Sequence, residues 1–292
     1  MYVTRQHGNR DGLAGLVPGD HVCVAVGSPE QFEAQIAVCL AEGAARGEKL
    51  FRFTPDPATT SDCGQQVTIV NPAEAFLAGG PLVPATMFDM FAAQTSQAHA
   101  EGYRGIRLVA DMDWLLGHPP TPPQIAAFEQ LLDRVVSDLS ATVVCAYRPG
   151  SFTAATVAEV AAVHPLYAGP PQTQPLFRLF NTGGSMWELT GEIDMSNLED
   201  FQRAVRTAAA AGPVSRLHCG GLEFISAAGL AIMARLAGEP APHPMLITQA
   251  PGIVKHCWDL LGLSERLDVT FSDVRPSGVL AEAESSDEEG GR

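Results

Sequence analysis

Two sets of residues in this chain bring reactive side-chain types together at short spacing. The first runs through the N-terminal half: His21 and Cys23, then Asp111, Asp113 and Trp114, then Glu129, then Tyr147 and Arg148, and last His164 before Pro165. Asp111 and His21 offer an acid and a base for proton transfer on a small organic substrate, although nothing in the sequence pairs them. His21-x-Cys23 offers two ligands to a soft metal, but a tetrahedral site needs further partners and none stands at a standard spacing, so neither metal nor cofactor is expected. Trp114 and Tyr147 suit the walls of an apolar pocket in which Asp111, Arg148 or Glu129 would fix a polar group. Purely structural roles are open to the same residues: a hydrogen-bonded His21, a turn-capping Asp111, a core Trp114, and a His164 that complements a helix terminus. The second set lies near the C-terminal end: Asp194 and Ser196, then Ser226-Ala227-Ala228-Gly229. Ser226 stands where a helix N-cap belongs, Asp194 can hold backbone N–H groups in its turn, and Gly229 suits close helix packing.

The elements that must hold these side chains can be read from periodicity. Extended runs at 21–26, 49–53, 67–70, 106–110 and 142–147 alternate with helical runs at 30–45, 85–100, 124–139 and 153–163. Strands with unbroken apolar character indicate an α/β fold, a parallel or mostly parallel sheet covered by helices on both faces. In such sheets the C-terminal strand ends share one edge where ligands bind. That edge is the expected pocket, formed by His21, Cys23, Asp111, Trp114, Glu129, Tyr147 and Arg148. A domain over 1–168 is followed by a proline-rich, semi-rigid linker that begins near 167 and is set at 169–176. A smaller α/β domain with a mixed sheet spans 177–276. It reads as a hairpin at 176–180 and 186–189, a helix at 198–211 capped by Ser196, a strand at 216–219, a loop to 225, a helix at 227–236, a strand at 245–248, a helix at 253–261 and a short strand near Val269. Residues 277–292 read as a disordered acidic tail.

Composition limits the function classes. The net charge of -15 is shared, with 9 Lys+Arg against 17 Asp+Glu in residues 1–168 and 9 against 16 in 169–292. Neither half has the basic surface that would release counterions from nucleic acid or attract an anionic membrane, so neither is an expected partner. The 6 cysteines show no C-x-x-C spacing, and Cys39, Cys145 and Cys219 sit in apolar runs where a thiol packs as a small hydrophobe. With no leader and no apolar stretch approaching about 20 residues, a cytoplasmic protein is expected.

Gly19-Asp20-His21-Val22-Cys23, the run from Tyr103 to Trp114, the run from Cys145 to Phe152, and His164-Pro165 stand in an order that resembles the MEDS domain. This resemblance implies a RecA-like fold and a sensory role toward small hydrocarbon derivatives. The chain carries Phe128-Glu129 where that family usually has Tyr-Glu, and Val24-Ala25-Val26 replaces the family's Trp-rich continuation of the first strand. A RecA-like ATPase would need a glycine-rich loop ending in Gly-Lys-Ser/Thr to cradle phosphates. Gly27-Ser28-Pro29-Glu30-Gln31 stands there instead, with no lysine and a repelling Glu30, so nucleotide hydrolysis is not expected.

The segments from Trp187 to Ser196 and from Gly220 to Leu230 resemble the STAS domain of anti-sigma-factor antagonists. The resemblance implies a partner-binding switch loop made of Asp194, Ser196, Ser226, Ala227, Ala228 and Gly229, and a partner that is an anti-sigma factor or GHKL-type serine kinase. It also aligns Ser226 with the family's aspartate and Ala227 with its phosphoacceptor serine, while His218 and Gly220 replace an acidic residue and a serine. Control by phosphorylation is therefore either absent or displaced to Ser226. Together these readings predict a non-enzymatic signalling regulator that senses a small organic molecule or a cellular state. A scaffold that has lost sensing and an enzyme acting in the N-terminal pocket are the alternatives.

Overall fold

A computed structural model describes residues 5–25, 27–55, 66–76, 84–117, 121–139, 141–148 and 150–273. Side-chain alternation accounts for its first sheet. In β2 (His21–Ala25), Cys23 and Ala25 enter one core while Val22 and Val24 enter another, and every residue is buried. The strand before β2 is the short β1 (Gly8–Asn9); after it come α1 (Pro29–Ala45), β3 (Lys49–Phe53), β4 (Val67–Val70), α2 (Pro72–Phe76), α3 (Pro84–Ala100) and β5 (Ile106–Asp111). A 3-10 turn at Met112–Gly117 leads to α4 (Pro122–Leu139), β6 (Thr142–Tyr147), α5 (Ala154–Ala161) and β7 (Leu166–Ala168). The seven strands are all parallel, in the order β1-β7-β2-β6-β5-β3-β4.

The second sheet contains β8 (Phe177–Gly183), β9 (Met186–Ile193), β10 (Arg216–Ile225), β11 (Met245–Thr248) and β12 (Val269–Ser272), in the order β12-β11-β10-β9-β8. Only the β8–β9 hairpin is antiparallel. Its helices are α6 (Leu198–Ala210), α7 (Ala227–Met233), α8 (Arg235–Gly238) and α9 (Gly252–Leu260). The α/β class and the mixed second sheet agree with the sequence reading.

Several local expectations change. Tyr167 and Ala168 belong to β7, paired with β1 and β2, so the first sheet continues into residues that read as linker. Residues 220–225 are strand, not loop: register shifts after His218 and Leu222 absorb the extra residues, and pairing to β9 continues to Ile225. Ser196 does not cap α6. Asn197 stands at that N-cap, and its amide is spent on the preceding turn, accepting from Asp194 N and donating to Glu192 O. The helix read over 227–236 divides at Ala234. Val26 and the tail 277–292 lie outside the described residues.

The two halves share one apolar core. Helix α4 sits against α3 and α5 of the first half and against β8 and α6 of the second, with Ile125, Phe128, Leu132 and Val136 buried. Polar ties reinforce the junction: Leu179 N donates to Ala162 O at 2.9 Å, Arg134 Nη1 to Ala211 O at 2.6 Å, and Arg203 Nε to Glu159 Oε1 at 2.8 Å. Within the β8–β9 hairpin, Gly191 has a φ of +84°, and a Cβ added there would stand 2.2 Å from Leu176 O. A Gly191→Ala chain is expected to lose roughly 2–5 kcal/mol of stability, from left-handed backbone strain and overpacking together. A lower urea midpoint at unchanged slope checks this.

Candidate functional site

The site begins with two carboxylates one helical turn apart. Glu129 and Asp133 lie at i and i+4 on α4, hence on one face, and both are fully buried. Carboxylates in an apolar core must be paired and hydrogen-bonded, and the surrounding elements supply the partners. The start of β2 brings His21, whose Nδ1 lies 3.2 Å from Asp133 Oδ1 and whose Nε2 lies 3.4 Å from Glu129 Oε2. The loop between α5 and β7 brings His164, its Nε2 3.5 Å from the same Glu129 oxygen and its Nδ1 donating to Val160 O at 2.7 Å. From β6, the Cys145 Sγ lies 3.3 Å from Glu129 Oε2 and 3.4 Å from His21 Nε2, and Tyr147 donates its hydroxyl to Glu129 Oε1. Arg5 closes the other end, with Nη2 2.8 Å from Asp133 Oδ1.

Charge balance follows from these contacts. Burial pushes Glu129 and Asp133 up, but the cationic neighbours and the bonds from His21, Tyr147 and Arg5 outweigh it, and both carboxyls sit below their ordinary values. Burial likewise pushes His21 down, yet bonds and charge from Asp133 and Glu129 raise it above the usual imidazole value. His164 falls to about 4 through burial and the nearby His21, so it is neutral at pH 7 rather than a cation serving a helix dipole. Burial, then the Glu129 charge, push the Cys145 thiol and the Tyr147 phenol well up. His21 turns both ring nitrogens to carboxylate oxygens, which favours its doubly protonated form, and the Arg5 guanidinium lies against the second carboxylate.

The residues expected to share one pocket fall into three places. His21, Glu129 and Tyr147 meet at this buried centre, and Cys23 lies beside it as the strand neighbour of Cys145. Asp111 and Arg148 form an ion pair at the C-terminal strand edge, where Arg148 Nη1 also reaches Asp113 Oδ2 at 3.5 Å and Asp111 Oδ1 accepts from Asp113 N. Trp114 lines a separate apolar cavity of about 20 Å³ with Phe53, Phe91, Phe128, Leu132 and Cys145. Cys145 thus belongs both to the cavity wall and to the polar centre. A larger concavity of about 680 Å³ is an open surface groove beside Leu13 and Val38 and contains none of these residues. The centre lies on the face of the sheet beneath α4, not at the strand edge, because its carboxylates come from a helix.

Asp133, Cys145, His164 and Arg5 were absent from the expected pocket. The Glu129-x-x-x-Asp133 spacing, one turn apart on a helix, was the available signal for the first. Arg5 comes from a segment whose sequence carries none.

In the second half, Asp194 Oδ1 accepts from Ser196 N at 2.8 Å and from Ser196 Oγ at 2.6 Å. Ser226 Oγ caps α7 by accepting from Gly229 N at 3.1 Å, and an added Cβ at Gly229 would come within 2.8 Å of Ile225 Cγ1. Ala227 and Ala228 are exposed. Parallel β9 and β10 end together here at Ile193 and Ile225, with Met195 78% and Phe224 52% exposed, while β11 ends opposite His218, and Ile253 in the helix after it is 64% exposed.

The sequence model of the MEDS family, described as the methanogen/methylotroph DcmR sensory domain, matches residues 20–165. That span covers every member of the buried centre except Arg5. No curated protein matches the chain.

Removing the Asp133 charge strands Arg5 in the core. Asp133→Asn is expected to cost about 3–5 kcal/mol, whereas Lys49→Met, which breaks the partly exposed Lys49–Glu101 pair, should cost about 0.2–1 kcal/mol. Equilibrium urea unfolding of the two variants, side by side, checks the contrast.

Proposed function

Because the chain belongs to the MEDS family of sensory domains, we propose that it is a signalling protein whose first half registers a small organic molecule or cellular state and whose second half passes the result to a protein partner. The second half works as a STAS-like module, and its partner is an anti-sigma factor or GHKL-type serine kinase. The observation that carries this reading is that Met195 and Phe224 stand exposed where β9 and β10 end, beside the Asp194 and Ser226 turns, with Ile253 exposed at the start of α9. Exposed apolar side chains next to polar loops suit a protein interface.

Ala227 has no oxygen to accept a phosphate, so control of docking passes to the first half. Helix α4 is the physical route, since it carries the buried carboxylates and packs on β8 and α6. The apolar cavity beside Trp114 has room for little more than one water-sized molecule at about 20 Å³. A sensed ligand is accordingly a molecule of a few heavy atoms, or one that widens the cavity as it enters. The same small volume favours a second reading, in which the first half has lost sensing and the protein is a scaffold. On either reading it acts by binding rather than by turnover, within the cytoplasm.

With the intact chain as bait in an extract of its source cells, an anti-sigma factor or GHKL-type kinase is expected among the proteins identified by mass spectrometry. Recovery should fall at least about tenfold when Met195, Phe224 and Ile253 are all changed to Asp, as expected for the loss of several buried apolar anchors. Recovery of neither partner class, or recovery that the triple variant leaves unchanged, would count against the proposal.

A further inference from the structure

We propose that His21, Glu129, Cys145 and His164 form a closed site for one zinc ion or a divalent ion of similar ligand preference. This inference is independent of the partner and of the ligand proposed above. Four elements converge donor atoms that all lie within 4.8 Å of one another: two imidazole nitrogens, a carboxylate oxygen and a sulfur. At tetrahedral zinc, bonds of about 2.0–2.3 Å place neighbouring ligand atoms about 3.3–3.8 Å apart. Four of the six donor–donor spacings match that edge length: Glu129 Oε2 to Cys145 Sγ at 3.3 Å, His21 Nε2 to Cys145 Sγ and to Glu129 Oε2 at 3.4 Å each, and His164 Nε2 to Glu129 Oε2 at 3.5 Å.

Orientation supports the assignment. Zinc-binding histidines characteristically commit the other ring nitrogen to a carboxylate or a backbone carbonyl. His21 Nδ1 faces Asp133 Oδ1 at 3.2 Å and His164 Nδ1 donates to Val160 O at 2.7 Å, so both Nε2 atoms point inward. The His164 Nε2 is buried with no hydrogen-bond partner among the described residues, and it faces a carboxylate oxygen 3.5 Å away. Two lone pairs aimed at each other are repulsive unless a proton or a metal ion lies between them. Tyr147 holds the second Glu129 oxygen, leaving the first for the ion.

The exchange balances in charge and atoms. In the metal-free centre both His21 nitrogens face carboxylate oxygens, an arrangement that calls for a proton on each, so that His21 and Arg5 offset Glu129 and Asp133. With metal, the ion displaces two protons, one from His21 Nε2 and one from the Cys145 thiol. Its two positive charges plus Arg5 then offset Glu129, Cys145 and Asp133, so the core stays neutral in both states. Four protein ligands leave no open position, which makes the site structural or sensory rather than hydrolytic. The linear sequence concealed it because the donors are not the His21-x-Cys23 pair.

The test uses the full-length chain, expressed with added zinc and analysed for metal by mass spectrometry, then stripped and titrated anaerobically with cobalt. About one metal per chain is expected, together with the strong visible bands of tetrahedral cobalt and a near-ultraviolet thiolate-to-cobalt band. Cys145→Ser should abolish the thiolate band while Cys257→Ser leaves it, and Asp133→Asn should weaken binding about 10–100-fold. Should Cys145→Ser fail to fold, X-ray absorption at the metal edge of the wild-type chain should give two nitrogen-type ligands, one oxygen and one sulfur. A folded chain with less than about a tenth of a metal per molecule and no cobalt spectrum would overturn the proposal. So would a stoichiometric spectrum unaffected by Cys145→Ser, or a metal shell lacking sulfur.

Discussion

Two carboxylates, Glu129 and Asp133, are carried one turn apart into a fully buried position by a single helix. Each would cost several kcal/mol if left unpaired, so the surrounding elements are constrained to deliver His21, His164, Cys145, Tyr147 and Arg5 to that point. The polar start of an otherwise apolar β2, the cysteine in the middle of β6 and the histidine just before β7 all answer the same demand. Satisfied in this way, the network ties the first sheet to α4 at fixed register. Left unsatisfied, it would be the weakest place in the molecule.

The same constraint joins the two halves. Asp133 Oδ2 accepts from Asn181 N at 2.9 Å, while Arg5 Nη1 donates to Asn181 O at 2.5 Å, so the first strand of the second sheet is hydrogen-bonded to the network. A change at Glu129 therefore reaches β8 through one turn of α4 and one hydrogen bond. This path is shorter than the proline-containing connection at 169–176, which the sequence reading had taken as the link. Coupling needs an element that both sites bias, and α4 meets that description physically.

Much of the architecture was legible in the residues. The largely apolar runs at 49–53 and 142–147 coincide with β3 and β6, whose residues are almost all buried, and the β-branched run at 67–70 coincides with β4, a half-exposed edge strand. Ser226 as an N-cap was equally readable, since a capping hydroxyl acts on its own next turn. What escaped depends on distant pairing. The glycines at 220 and 221 read as loop because a bulged strand is held by its neighbour and not by its own sequence. His21, Glu129 and Tyr147 were identified as site residues but assigned to the strand edge. Placing them requires knowing that α4 turns its carboxylates onto the sheet, and periodicity cannot tell which face of a helix buried nearly all round faces which neighbour.

Amide hydrogen exchange on Glu129→Gln tests most directly whether this network makes the two sheets one cooperative unit. Among the described residues, Glu129 bonds only groups of the first half. If the account is right, the substitution speeds exchange at Asn181 and along β8 and β9 by a factor similar to that in β2 and β6. Faster exchange confined to β2 and β6, with Asn181 as protected as before, would contradict it.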